Sequence, residues 1–118
     1  MNKLIALLLT ASLSFLSAGT VAAERVSSSA AASYVGDMVT VSGTVSQVTT
    51  SGNGTTFINY GGRYPNHHFY GVVFRDNSRA FGSLRNLEGK KVSLTGVVEI
   101  YEGKPQIILE SPGQIRVD

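Results

Sequence analysis

The sequence predicts an all-β fold, a small closed barrel of five strands, and three observations carry that expectation. From Met38 onward, apolar residues recur at every second position in separate short segments, the period of a strand with one buried face. The pattern Gly36-x-x-Val39-x-Val41-x-Gly43-x-Val45 returns 53 residues later as Gly89-x-x-Val92-x-Leu94-x-Gly96-x-Val98. Two long strands therefore carry a central glycine at the same inward phase, and a sheet curling into a small barrel needs such bends. Finally, the 118 residues include no cysteine. Neither disulfides nor thiolate metal sites are available, so stability must come from a regular, well-packed core.

The elements follow in order. Met1-Asn2-Lys3 is a short basic start, Leu4 to Leu16 an apolar run, and Ser17 to Ala23 a stretch of small residues with Val21 and Ala23 at the −3 and −1 positions before Glu24. This order is that of a secretory signal peptide, residues 1–23, cleaved after Ala23. A retained membrane anchor would need roughly 20 predominantly apolar residues, more than this run supplies. No cysteine follows it, so no lipid attachment site is present. The expected product is periplasmic or secreted, with 95 of the 118 residues remaining, enough for one domain with a modest core. Residues 24–33 are expected as a linker and helical lead-in and residues 34–118 as the domain.

Within the lead-in, Ser27 to Tyr34 (SSSAAASY) has a Ser N-cap, an Ala run and Gly36 as a stop, the signals of a short helix. A Ser/Ala tail is the other reading up to Ser29. A first strand starts at Met38, with Val39, Val41 and Val45 inward. Thr49 to Gly54 is a turn cluster, Thr55 to Tyr60 a second strand, Gly61 to Asn66 a loop, and His68 to Phe74 a third strand. Arg75 to Gly89 is polar and irregular, with room for a short helix. Lys91 to Tyr101 is the fourth strand, Glu102 to Pro105 a turn, and Gln106 to Glu110 the fifth strand.

Charge is distributed unevenly along this chain. Residues 24–62 carry a net −1, residues 63–91 a net +4, and residues 92–118 a net −2. After loss of Lys3 with the leader, nine Lys/Arg face eight Asp/Glu, so no general affinity for polyanions is expected from net charge. The basic middle is also the aromatic part, because six of the ten aromatic residues fall between Phe57 and Phe74.

Three stretches stand out: Tyr34 to Val45, then Thr56-Phe57-Ile58-Asn59-Tyr60-Gly61-Gly62 with Tyr64-Pro65 and Phe69, and then Gly96-Val97-Val98-x-x-Tyr101-x-Gly103-Lys104-Pro105-Gln106-Ile107, continuing to Leu109, Ser111-Pro112 and Gln114-Ile115. They resemble bacterial exported OB-fold, nucleic-acid-binding-like domains. The resemblance covers nearly all of the chain after the leader. It implies a five-stranded OB-fold Greek-key barrel, with a short N-terminal helix and a short helix between strands 3 and 4. It also implies a binding face on the second and third strands, where OB-folds take oligonucleotides, oligosaccharides or proteins. Phe57 to Gly61 resembles a segment found near nuclease-like OB domains, but the acidic and arginine constellation of such an enzyme is absent, so no nuclease activity is carried over.

The candidate ligand-binding residues are Tyr60, Arg63, Tyr64, His68, Tyr70, Arg75, Tyr101 and Lys104. Tyrosine rings stack on bases while arginine and lysine follow a phosphate backbone. The competing reading has Phe57, Phe69 and Phe74 in the core and the tyrosines closing its rim. His67-His68 is a poor metal site, since adjacent strand residues point to opposite faces and carboxylates are few nearby. Gly52-Asn53-Gly54 and Gly61-Gly62 do not stand between a strand and a helix, so they are turns rather than phosphate loops. No Ser/His/Asp order, HExxH or close carboxylate pair is present. The expectation is a non-enzymatic module without cofactor or metal. Its partner would be single-stranded nucleic acid, hence DNA-binding among the expected activities, or a similar anionic oligomer. The alternative is an envelope or stress module that binds a protein or glycan.

Processing is the most direct point to check. Intact mass of the exported form should correspond to a chain beginning at Glu24; a chain that keeps Met1 and stays in the cytosol would contradict the leader.

Overall fold

Two long strands that each serve two sheets organise the chain, whose computed structural model describes residues 22–118. The leader lies outside the described residues apart from Ala22 and Ala23. Seven strands form: β1 (Glu24–Ser27), β2 (Met38–Thr50), β3 (Thr56–Tyr60), β4 (Phe69–Val73), β5 (Lys91–Tyr101), β6 (Lys104–Ile108) and β7 (Ile115–Val117). Among the described residues, helical structure is confined to 3-10 turns at Ser28–Tyr34, Arg75–Ala80, Arg85–Leu87 and Pro112–Gln114. The fold is all-β, as the alternation predicts. It differs from the expectation in two added strands, and in 3-10 segments where short helices were expected.

The first half of β2 pairs antiparallel with β5, from Met38↔Val97 to Thr44↔Lys91. Its second half pairs with β3, after a register shift between Val45 and Gln47. That bulge bends the strand from one sheet into the other. β5 makes the same exchange, leaving β2 at Val97 and joining β6 from Val98↔Ile107 to Tyr101↔Lys104. With β3–β4 antiparallel and β4–β6 parallel, the pairings run β2–β3–β4–β6–β5 and return to β2. β1 adds in parallel to the outer side of β2, and β7 adds antiparallel to β5. The lead-in is thus part of the sheet. Val26 and Ala31 are buried within it.

The glycine-centred echo in the sequence has a structural meaning. The two copies pair with each other about Val41↔Leu94, so that each central glycine faces the first valine of the other copy (Val39↔Gly96 and Gly43↔Val92). Both ends of the seam close alike. Gly36 N–H donates to Val98 O at 2.8 Å and Val98 N–H to Asp37 O at 3.1 Å, while Gly89 N–H donates to Val45 O and Val45 N–H to Lys90 O, each at 2.9 Å. Gly36 and Gly89 both hold positive φ, 91° and 81°, a conformation costly for any side chain.

Inside the ring lie Val39, Val41, Val45, Ile58, Tyr60, Phe69, Val73, Leu94, Ile107 and Leu109. Each aliphatic side chain contributes about 1.5–3 kcal/mol by leaving water. Gly43 makes room for this filling: a Cβ there would lie 3.0 Å from the Tyr60 ring and 2.8 Å from Ser28 Oγ.

One side chain holds the gap between β6 and β7. Gln114 Nε2 donates to Thr95 O at 3.0 Å and Ile108 O at 3.2 Å, while Oε1 accepts from Glu110 N at 2.7 Å and Ser111 N at 3.0 Å. All four hydrogen-bonding positions of the amide are therefore used. Gln114→Glu replaces the two-donor end with a carboxylate oxygen facing two carbonyls. It should lower unfolding stability by about 1–3 kcal/mol, read as an earlier urea midpoint; an unchanged midpoint would show that the amide holds nothing.

Candidate functional site

Outward-facing residues of the ring form two rows. Gln47, Asn59, Tyr70, Gln106 and Glu99 succeed one another across β2, β3, β4, β6 and β5, and Thr49, Phe57, Val72 and Ile108 lie beside them. Above these rows the β3–β4 loop and the β5–β6 turn enclose a cleft of about 520 Å³. Thr49, Phe57, Asn59 and Tyr70 line it from the strands, Tyr64, Pro65 and His67 from the loop, and Tyr101, Glu102 and Lys104 from the turn.

Rings run through this cleft in contact. Phe57 meets Tyr70 edge-on at 5.8 Å between centroids, Tyr70 meets His67 edge-on at 5.4 Å, and His67 lies 5.9 Å from Tyr64 at a 32° tilt. Such edge and offset arrangements suit the ring quadrupoles. The chain passes from buried to solvent: Tyr70 and His67 are buried, whereas Tyr64 is 65% and Tyr101 56% exposed.

Polar contacts fix the frame. Gln47 Oε1 accepts both Asn59 Nδ2 at 2.9 Å and Tyr64 N–H at 2.8 Å, tying the loop to β2 and β3. Lys104 Nζ donates to His67 O at 2.6 Å, tying the loop to β6. The β5–β6 turn has Glu102 at φ 49° and Gly103 at φ 82°, two successive positive values that match the twist of a two-residue hairpin. Glu102 thereby lines the cleft, as Lys104 does. Burial first, then Glu102 and Tyr101, push the Tyr70 phenol above its ordinary value of 10.0, so it remains a neutral hydrogen-bonding group at physiological pH.

Of the eight predicted residues, Tyr64, Tyr70, Tyr101 and Lys104 meet in this cleft. Tyr60 is a correction. It shares the inward phase of Ile58, is fully buried, and donates its hydroxyl to Val92 O at 3.0 Å, with its ring 5.4 Å from Phe69. His68 is a second correction: its ring lies over Gly61 and its Nε2 pairs with Ser28 Oγ at 3.0 Å, away from the cleft. Its neighbour His67 turns the other way and enters the cleft beside Tyr70; both histidines precede β4, and strand phase counted back from Phe69 and Tyr70 would have exchanged them. Arg63 is exposed on the loop without lining the cleft. Arg75 lays its aliphatic stem across Gly54 in the β2–β3 turn, also off the cleft. Gly71 faces inward, where a Cβ would lie 2.6 Å from a Leu94 methyl, so it admits core side chains rather than a ligand. Sequence reasoning missed Phe57, Asn59 and His67; the phase opposite Ile58 was the signal for Phe57 and Asn59, whereas His67 lies in the loop before β4, where no strand phase marks it. Among the described residues no cluster of three potential metal ligands occurs.

No family model matches the chain, and no curated protein matches it. Among solved structures 48 chains match. One is a chain described as an aspartyl-tRNA synthetase from Leishmania major Friedlin, with a TM-score of 0.51 and 11% identity. The match covers 85% of this chain and 22% of that one. The likeness is one of fold: this chain is similar in backbone path to about a fifth of the synthetase. The class defined by fold and site is a small all-β domain with an aromatic cleft on its outer wall, and among the described residues no helix is long and apolar enough to cross a membrane.

His67 supplies the pH dependence of this region. Burial, then Lys104, then His68 lower its pKa from the ordinary 6.5, and its Nδ1 is buried without a hydrogen-bond partner. The unfolded chain takes up a proton near 6.5 that the folded chain resists, so stability falls as pH drops through that value. Asp118, whose carboxyl is lowered from 3.8 by the Ser93 hydroxyl and then Arg116 and Arg25, acts only in more acidic solution. His67→Phe should therefore remove the loss of melting temperature between about pH 7 and pH 5. An identical loss in the variant would assign it elsewhere.

Proposed function

We propose that this chain is a non-enzymatic OB-fold binding module that takes one or two bases of a single-stranded nucleic acid, or of a similar anionic oligomer, against Tyr64 and Tyr101. The observation that carries the reading is the pair of exposed tyrosine rings lining one cleft with the buried Tyr70 and the Lys104 ammonium. Three further points support it. The ring of pairings β2–β3–β4–β6–β5–β2 has the connectivity of a five-stranded Greek-key barrel. The cleft sits on the β3–β4 wall and the β5–β6 turn, the strands and one of the loops that OB-folds use for oligomers. One of the solved structures of similar fold is described as an aspartyl-tRNA synthetase. The order of residues 1–23, that of a secretory leader, supports a periplasmic or secreted location for the module.

A second reading rests on a specific observation. Glu102 beside Lys104 leaves the cleft without net charge, and Arg63 and Arg75 lie off it. That balance suits an envelope or stress module binding a protein or a neutral glycan, with no nucleic-acid role.

Salt separates the two. Binding of an oligothymidine should weaken steeply between about 50 and 200 mM salt, whereas a neutral glycan or protein ligand should not show that slope. Tyr64→Ala and Tyr101→Ala should each weaken oligothymidine binding by about 1–3 kcal/mol, with melting temperatures close to the parent because both rings are exposed. Glu102→Asn should tighten it by removing the opposing charge. No oligothymidine binding at low salt would transfer the cleft to the second reading.

A further inference from the structure

One end of the β2–β5 seam borders a second recess, lined by none of the residues that line the aromatic cleft. Met38, Val97 and Ile108, with Gly96 and Gln114, line a groove of about 290 Å³. Met38 and Val97 face each other across the seam and are 58% and 40% exposed.

The rim is acidic. Glu99 and Glu110 line the groove and no Lys or Arg does; Asp37 adjoins Met38. Among the described residues, the ion pairs join Arg25 and Arg116 to Asp118, so Glu99 and Glu110 are left without a cationic partner. Gln114 offers the groove no free donor, because both its amide hydrogens are given to Thr95 O and Ile108 O. An apolar recess with unpaired carboxylates at its edge gains from an apolar side chain flanked by cations, through area removed from water and opposite charge at the rim. A nucleic-acid strand would set phosphates against those carboxylates, which excludes it here.

We propose that this groove docks a short peptide segment of a partner protein, carrying an apolar side chain flanked by lysine or arginine. The proposal shares no residue with the aromatic cleft and stands or falls apart from it.

The probes are two synthetic peptides with the same Leu-Val centre, one with two lysines at each end and its twin with glutamates there. Each is titrated into the processed chain, with methyl and aromatic NMR as readout. The lysine peptide should shift the methyls of Met38, Val97 and Ile108 and leave the Tyr64 ring unmoved. It should bind at least about fivefold more tightly than its twin. E99Q combined with E110Q should erase that preference, and Val97→Asn should weaken both peptides; thermal melts check that the exposed substitutions leave the fold intact. Should the double variant unfold, E110Q alone must reduce the preference. Equal affinity for the two peptides, absence of methyl shifts, or shifts centred on Tyr64 and Tyr101 would overturn the proposal. So would a dimer abolished by Met38→Glu, which would give the groove to a second copy of the chain.

Discussion

The antiparallel seam between β2 and β5 is the constraint on which the rest of the architecture depends. Without it the chain is an open sheet with one apolar face exposed. With it, the same strands surround a filled interior and their outer faces become a continuous wall. Closing so small a ring demands sharp bends in both seam strands. The bulge after Val45 and the inward glycines Gly43 and Gly96 supply them. Because each strand leaves the seam to join another partner, the bend and the change of sheet are one event. The near-symmetry of the seam follows from the repeated sequence pattern, each half supplying a glycine opposite the other half's valine.

The two strands of the seam were legible in the residues themselves, though not their pairing with each other. Valine alternation, two central glycines at matched phase and the turn clusters locate the strands of the ring to within a few residues. The added strands were not legible, and the reason is physical. Glu24–Ser27 and Ile115–Val117 are four and three residues long, too short for periodicity to register. Their place in the sheet is set by tertiary pairing with strands already formed. The 3-10 segments show the same limit, since a few Ser and Ala residues suit several local conformations and docking against the core decides among them.

The site was half legible for a related reason. Composition places tyrosines near the binding wall, but only phase distinguishes a ring that fills the barrel from one that faces outward. Tyr60 shares the phase of Ile58 and fills the interior, while Tyr70 takes the opposite phase and meets Phe57 and His67 outside. The pair His67-His68 shows where the rule stops: both residues precede β4, and His67 joins Tyr70 in the cleft although it lies three residues before it. Tyr64 and Tyr101 belong to a loop and a hairpin end, where no periodicity applies. Their convergence follows from the closed ring, which brings the β5–β6 turn alongside the β3–β4 loop.

The two-residue turn at Glu102-Gly103 also sets the shape of the cleft. A hairpin this tight has no slack backbone, and both its residues sit in the left-handed region that the strand twist requires. The opposite wall is anchored by Gln47 and Lys104. Neither side is a lid. A ligand of this cleft would dock into a preformed shape, with selectivity from fit rather than closure. Little backbone ordering would count against its affinity, and it would leave by the route through which it entered.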